Sequence, residues 1–297
     1  MKIRANGIDI EYERFGHEPN QSKPCVVLIM GLGMQMIAWP MPLIEQLVAD
    51  GFEVLRFDNR DVGLSSFFDH LGMPNILWAG LKVNLGLKVR SGYTLSDMAN
   101  DTVGLLDALS IAKAHIVGAS MGGMIAQLVA ANHAQRVLSL TSIMSTSGRA
   151  SLPGPSAKAR GALLSRPTNP HDNNAIANHY LKVFRTIGSP SSSETDEEVK
   201  ARILLGIQRS HHPVGTARQL MAVAADGSRV ERLKTISAPT LVIHGEVDPL
   251  VPIAAGRDTA ASITGAQFIA VPGMGHDLAP GPLQIVTREL SGFLKRV

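Results

Sequence analysis

The sequence feature that most constrains the fold is a Gly-Ala-Ser-Met-Gly segment at residues 118–122. It follows an apolar run at 114–117 and precedes a stretch, 121–134, that is predicted to be helical. A Gly-x-Ser-x-Gly segment between a strand and a helix indicates a nucleophile elbow, a sharp turn that exposes one serine hydroxyl. Such a turn drives Ser120 towards positive φ, which strains a residue with a Cβ atom, and the flanking glycines avoid collisions. The segment alone is also compatible with an ordinary Ser/Gly turn, so the rest of the chain decides its meaning.

A reactive serine needs a general base and a carboxylate that orients the base. The elbow fold supplies them in the chain order Ser, Asp or Glu, His. Of the ten histidines, His276 alone lies near the C-terminus, in a glycine-rich loop after an apolar run. Asp248 follows a β-branched run, whereas the rival position after the strand predicted over 138–144 offers no carboxylate. We therefore predict Ser120 as the nucleophile, Asp248 as the orienting acid and His276 as the base, joined by hydrogen bonds at the sheet edge.

Alternating predicted strands and helices define the fold class. The predicted strands of the first half lie at 25–30, 52–57, 114–119 and 138–144. This alternation indicates an α/β fold with a mostly parallel central sheet and helices on both faces. It is interrupted by three predicted helices, near 174–187, 197–208 and 214–225, and Thr195 with Glu198 forms a predicted capping box for the second. We predict a core of residues 1–148 and 232–297 with an inserted helical cap, 149–231.

The chain resembles the α/β-hydrolase superfamily in four separated segments. These are Met-Gly-Leu-Gly at 30–33, Asp-Asn-Arg-Asp-Val-Gly-Leu-Ser at 58–65, the elbow at 118–123, and the loops at 245–248 and 273–276. Within the superfamily it resembles the aclacinomycin methylesterase group. The reasons are Arg60-Asp61, where many relatives have Arg-Gly, and Met30, where most have histidine. The resemblance implies the α/β-hydrolase fold and a serine esterase.

The resemblance also implies an oxyanion hole formed by two backbone amides, those of Leu32 and Met121. Acyl transfer places negative charge on the former carbonyl oxygen, and losing one such donor typically lowers turnover by ~10²–10³. Because the donors are backbone groups, Met30 is expected to alter the packing of the loop rather than abolish the hole. The Asp-x-Arg turn at 58–60, together with Ser65, is predicted to anchor loops by hydrogen bonds rather than to perform chemistry.

An apolar substrate pocket is predicted between the core and the cap, since methionine is flexible and adapts to irregular apolar groups. Its predicted residues are Met34, Trp78, Met144, Met221 and Met274. The alternative is that several of these methionines fill the core. The apolar segment at 66–92 lies at the sheet edge where open α/β sheets bind ligands. It is predicted either to line the pocket or to form a surface helix under the cap, and a membrane-surface or dimer contact is a third alternative.

Composition excludes several other classes of function. The net charge is only +3 and the basic residues are scattered, which does not suggest nucleic-acid binding. The single Cys25 cannot form an internal disulfide, and no apolar run of ~18 residues predicts a transmembrane helix. The side chains of adjacent His211 and His212 point in different directions, which does not suit a shared metal ion. The Gly31-x-Gly33 segment lacks the third glycine of a dinucleotide-binding fingerprint. No metal or cofactor is therefore expected. A cytoplasmic protein is expected, and a homodimer is left open.

We therefore predict a serine-dependent hydrolase that acts on a small-molecule carboxylic ester, methyl esters and lactones included. The reaction would pass through an acyl-enzyme on Ser120, with His276 as general base and Asp248 orienting it. Two alternatives remain open on sequence grounds. One is a C–C bond hydrolase that acts on diketones, and the other is a small-molecule receptor of the same fold with slow turnover.

Overall fold

Eight strands form one sheet in the part of the chain that this computed structural model describes, residues 1–19 and 23–297. In chain order they are β1 (Lys2–Ala5), β2 (Ile8–Phe15), β3 (Cys25–Ile29), β4 (Glu53–Phe57), β5 (Ala114–Ala119), β6 (Val137–Ile143), β7 (Thr240–Gly245) and β8 (Gln267–Val271). Their order across the sheet is β1-β2-β4-β3-β5-β6-β7-β8. Only the two pairings made by β2 are antiparallel among the described strands. The mostly parallel sheet predicted from the sequence is confirmed.

The central strands are apolar throughout because helices cover both of their faces. Every residue of β3, β4 and β5 is buried, as expected for parallel strands between two helical layers. The helices are α1 (Met41–Ala49), α2 (Ile76–Asn84), α3 (Leu95–Ala108), α4 (Met121–Asn132), α5 (Ala157–Leu164), α6 (Asn173–Ile187), α7 (Asp196–Arg209), α8 (Pro213–Asp226), α9 (Val230–Leu233), α10 (Ile253–Ala261) and α11 (Pro280–Leu294). Helices α3 and α4 pack on one face of the sheet, and α1 and α11 pack on the other.

The predicted interruption of the sheet lies between β6 and β7, where the chain forms helices. Residues 149–231, which we call the cap segment, contain α5 to α8 and the start of α9. The three predicted helices of this segment correspond to α6, α7 and α8, and α5 is an additional short helix. The predicted capping box is present at the start of α7, where Thr195 and Glu198 exchange side-chain to backbone hydrogen bonds. No helix of the described residues is both long enough and apolar enough to cross a bilayer.

Buried charges fasten the cap segment to the loop after β4. The Asp58 carboxylate accepts hydrogen bonds from the Met36 and Leu64 amides, at 2.8 and 2.9 Å, and from Arg209 of α7, at 2.7 Å. Arg218 of α8 donates two hydrogen bonds to Asp61, at 2.8 and 2.7 Å. The anchoring role predicted for the Asp-x-Arg turn is therefore confirmed, and its partners include the cap segment.

The same turn is tied to the core by its arginine and by a serine. Arg60 donates bonds of 2.6 and 2.7 Å to Asp101 of α3, and both side chains are buried. The Ser65 hydroxyl donates to the Asp58 carbonyl at 2.6 Å and accepts the Glu11 amide of β2 at 2.9 Å. The loop after β4 is thus held from the sheet, from α3 and from the cap segment at once.

We expect one buried histidine to make stability depend on pH. His115 of β5 is buried beside Phe52 and hydrogen-bonds Ser139 at 2.8 Å, and burial lowers its pKa to about 4. An unfolded histidine has a pKa of about 6.5, so below that pH the unfolded state binds a proton that the folded state does not. Stability should therefore fall as the pH drops from about 6.5 towards 4, by about 2 kcal/mol from this residue at pH 5.

Urea unfolding at pH 7.5 and at pH 5 measures this effect. The variant His115→Gln keeps a polar side chain in the same position but cannot titrate, so it should lose less stability than the natural protein on acidification. An equal loss in the two proteins would contradict the assignment to His115.

Candidate active site

The predicted elbow is present between β5 and α4. Ser120 has φ 56° and ψ −119°, which lies in the region that residues with a Cβ atom rarely adopt. A Cβ atom at Gly118 would lie 2.0 Å from the carbonyl oxygen of Gly122, and one at Gly122 would lie 2.0 Å from that of Ile29. Glycine is therefore required on both sides of the serine. The Ser145 hydroxyl donates to the Ser120 carbonyl at 2.8 Å and helps to fix the turn.

The three residues predicted from their chain order lie in one line of hydrogen bonds. Ser120 Oγ is 2.9 Å from His276 Nε2, and His276 Nδ1 is 2.7 Å from Asp248 Oδ2. The other oxygen of Asp248 accepts the amides of Leu250 and Val251, at 2.9 and 2.8 Å. These two bonds fix the orientation of the carboxylate, whose side chain is fully buried.

The line of hydrogen bonds sets the tautomer of the imidazole. A carboxylate only accepts hydrogen bonds, so His276 Nδ1 carries the hydrogen that faces Asp248. Nε2 then has a free lone pair and accepts the hydroxyl hydrogen of Ser120. This is the arrangement in which a histidine can take a proton from a serine.

A second buried histidine lies beside Asp248 without displacing His276. His244 Nε2 is 3.7 Å from Asp248 Oδ2 but 2.7 Å from the carbonyl oxygen of Val251, to which it donates. Burial lowers the pKa of His244, which keeps its imidazole neutral. Asp248 therefore forms its hydrogen bond with His276 and not with His244.

The loop that carries His276 is held by the cap segment, through contacts that sequence reasoning missed. The His276 amide donates to the carbonyl of Ile187, the last residue of α6, at 2.7 Å. Ser189 Oγ accepts the Gly275 amide at 3.0 Å and donates to Asp277, whose carboxylate also accepts the Ser189 amide at 2.8 Å. These partners are separated by more than 80 positions in the chain, and Ser189 lies in no recognisable motif.

The glycine loop after β3 lies against the nucleophile. A Cβ atom at Gly31 would be 3.2 Å from Ser120 Cβ and 3.7 Å from Ser120 Oγ. Within the described residues, neither the Leu32 amide nor the Met121 amide has a protein acceptor, as expected of groups that receive a ligand oxygen. The next amide, that of Gly33, donates to the buried Gln219 Oε1 of α8 at 2.8 Å. The oxyanion role of Leu32 and Met121 stays a prediction.

The five residues predicted to line the pocket are not all part of one cluster. Met144 and Met274 are buried in the apolar cluster between the sheet and α1 and α11, and Met34 packs at its edge. Met274 has no exposed surface, so it lines no open cavity in this structure. Met221 is half-buried on α8, and Trp78 of α2 is 55% exposed at the outer surface. For Met144 and Met274 the structure favours the alternative in which methionines fill the core.

Two cavities in the described residues lie away from Ser120. One, of about 550 Å³, lies between the β1–β2 turn and α3. The other, of about 620 Å³, lies between α5 and α6 and is lined by polar and basic side chains. No group of three or more His, Cys, Asp or Glu side chains in the described part of the chain is arranged to hold a metal ion.

Several known hydrolases are similar to this chain. The sequence profile of the alpha/beta hydrolase fold matches residues 24–279. Two rhodomycin D methylesterases, DauP of a Streptomyces strain and DnrP of Streptomyces peucetius, are 26% and 28% identical, each over 85% of this chain and 85% of the relative. A 2-hydroxy-6-oxononadienedioate/2-hydroxy-6-oxononatrienedioate hydrolase of Cupriavidus pinatubonensis is 28% identical over 90% of this chain and 86% of the relative. The crystal structure of an enol-lactonase from Burkholderia xenovorans has the same fold, with a TM-score of 0.74 and 24% identity over 99% of this chain and 100% of that chain.

We expect Ser189 to act as a positioning residue for His276. The variant Ser189→Ala removes the acceptor of the Gly275 amide and a donor to Asp277, so the His276 loop gains freedom. Because small displacements of a reacting group can slow a reaction strongly, kcat of hydrolysis should fall by about 10- to 100-fold with KM little changed.

The matched control is Ser192→Ala, which alters a serine of the same loop that only accepts a local amide, that of Glu194. Its kinetics should remain like those of the natural protein. If Ser189→Ala also retained full kcat, the proposed support of His276 by the cap segment would be wrong.

Proposed function

The chain belongs to the alpha/beta hydrolase fold family and is a hydrolase, and we propose that it cleaves carboxylic esters through an acyl-enzyme on Ser120. The observation that carries the proposal is the line of hydrogen bonds from Asp248 through His276 to Ser120. A serine on a strained elbow, beside a neutral imidazole nitrogen, is the arrangement that acyl transfer requires. The identity of the three residues as a catalytic triad is part of the proposal.

In the proposed reaction the Ser120 hydroxyl attacks the ester carbonyl carbon while His276 Nε2 accepts its proton. The carbonyl oxygen becomes an oxyanion, which the amides of Leu32 and Met121 receive. The imidazolium then gives its proton to the departing alcohol, and an acyl-enzyme remains on Ser120. A water molecule, deprotonated by His276, hydrolyses the acyl-enzyme and restores the serine. Asp248 stabilises the imidazolium that forms twice in each turnover.

The proposed substrate is a methyl ester of an apolar acid. Two of the similar proteins are named methylesterases, and methanol is a small leaving group. The half-exposed side chains of Leu32 and Met34 lie on the loop beside Ser120 and would contact an apolar acyl group. We further propose that residues 149–231 act as a cap over this site, with Met221 on its inner side.

C–C bond hydrolysis is the second candidate function. It is supported by one similar protein that is named as a hydrolase of an oxo-dienedioate. The receptor alternative predicts binding with at most one turnover. Kinetics separate the three functions. An ester hydrolase releases many equivalents of acid per protein from aryl and methyl esters. A C–C hydrolase acts faster on a diketone than on any ester.

We expect substitutions in the hydrogen-bonded line to lower turnover of esters while leaving the fold intact. Ser120→Ala removes the nucleophile and should lower kcat by roughly 10⁴-fold or more. Asp248→Asn presents a donor to His276 Nδ1, which favours the wrong tautomer, and should lower kcat by ~10⁴-fold. The measurement is steady-state hydrolysis of a panel of aryl and methyl esters, with unfolding temperature as the check on folding.

His244→Gln provides the matched control for the histidine. It removes the second imidazole beside Asp248, but that imidazole donates to a carbonyl and does not contact Ser120. The kcat of His244→Gln should remain within about 10-fold of the natural value. The kcat of His276→Gln should fall about as far as that of Ser120→Ala. Turnover that survives in Ser120→Ala would refute the acyl-enzyme.

A further inference from the structure

Exposed apolar side chains are concentrated on α2 and the turns beside it. Nine of the seventeen large apolar side chains that are exposed in the described residues fall between positions 67 and 87. We call the most prominent of them the α2 patch, which consists of Met73, Leu77, Trp78, Leu81, Leu85 and Leu87. Leu77 is 85% exposed. Soluble monomers rarely expose contiguous apolar patches of this kind, and those that exist usually mark an interaction surface.

The α2 patch is held in a fixed position and points away from the protein. On the inner side of α2, Ala79 is buried where the helix packs against α8. The preceding turn is fixed by Arg218, which donates to Asp69 at 2.9 Å and to the Gly72 carbonyl at 3.1 Å. Leu77, Leu81 and Leu85 follow one another at intervals of four residues, so they form a single outward stripe along the helix.

The charged side chains within residues 70–96, arginine and lysine only, all have one sign. Residues 70–96 contain no aspartate or glutamate, but they contain Lys82, Lys88 and Arg90. Lys88 and Arg90 are exposed, and Lys82 Nζ lies 5.6 Å from the centre of the Trp78 ring. A short helix with exposed leucines, a tryptophan and a lysine, followed closely by two more cations, resembles in composition the helices that lie in the interface of a membrane.

We propose that the α2 patch, together with Lys82, Lys88 and Arg90, binds the surface of a bilayer that contains anionic phospholipids. The leucines and Trp78 would enter the interface, and the three cations would face the lipid phosphates. α2 has only nine residues, so it would lie on the bilayer rather than cross it. A second copy of the chain fits less well, because a two-fold contact through this patch would bring identical cations together.

Sedimentation with vesicles tests the proposal. The protein should bind vesicles of equal parts phosphatidylcholine and phosphatidylglycerol, bind phosphatidylcholine alone at least about 10-fold more weakly, and dissociate as salt rises from ~0.1 to ~0.5 M. Ser120→Ala should bind equally well, which separates this proposal from the proposed function. The triple variant Lys82→Gln, Lys88→Gln, Arg90→Gln should lose the preference for anionic lipid.

The apolar contribution is tested by Leu77→Ser combined with Leu81→Ser, which should lower binding at least about 10-fold without lowering the unfolding temperature. Its matched control is Leu205→Ser, which changes an exposed leucine of α7 outside the patch and should bind normally. The chain has two tryptophans, and Trp39 is buried at 1% exposure. A blue shift of tryptophan emission on vesicle addition would therefore come from Trp78 and should disappear in Trp78→Phe.

Three results would overturn the proposal. The first is absence of binding to anionic vesicles, and the second is binding that is unchanged in the double leucine variant. The third comes from light scattering without lipid. If the natural protein is a dimer and the double leucine variant is a monomer, the α2 patch is a self-association surface instead.

Discussion

The positive φ of Ser120 is the constraint on which the rest of the site depends. A residue with a Cβ atom in this conformation costs about 1–3 kcal/mol and persists only where the surrounding structure fixes it. Here the Ser120 amide donates to the Ile143 carbonyl of β6, the Ser145 hydroxyl binds the Ser120 carbonyl, and α4 begins at the next residue. This conformation directs the hydroxyl towards His276, and among the described residues the Met121 amide has no acceptor. His276 and the glycine loop can act on a substrate only if this turn holds the Ser120 hydroxyl next to them.

The cap segment contributes to the site by holding three loops in place. Ile187 and Ser189 hold the loop of His276, Gln219 holds the glycine loop, and Arg209 and Arg218 hold the turn after β4. In that turn Asp61 occupies the position at which many relatives have the glycine of Arg-Gly. Its φ of 66° is a conformation that favours glycine. Burial would raise the pKa of Asp61, but its hydrogen bonds with Arg218 and the Phe68 amide lower it. The hydrogen bonds of the charged side chain therefore offset the strain of the backbone. Substitutions in the cap segment can therefore change catalysis without contacting substrate.

Sequence reasoning succeeded where the signal is local. The elbow, the parallel strands and the chain order of Ser120, Asp248 and His276 follow from short patterns, and the structure brings those residues together. It failed for Ser189 and Gln219, because their partners are 86 to 186 positions away and no pattern pairs them. It also grouped Met144 and Met274 in a pocket, since proximity to a loop does not reveal whether a side chain points into the core. In the 66–92 segment the chain forms α2, which packs on α8 with leucines outward.

We propose that Asp248, His276 and Ser120 act as one nucleophilic unit. Covalent modification by a fluorophosphonate, followed by peptide mass analysis, tests it most directly because the reagent needs an activated serine and no knowledge of the substrate. We expect one phosphonyl group per chain, carried by Ser120, with the rate of labelling strongly reduced in His276→Ala and normal in His244→Gln. Labelling at another residue, or labelling of Ser120 at an unchanged rate in His276→Ala, would contradict it.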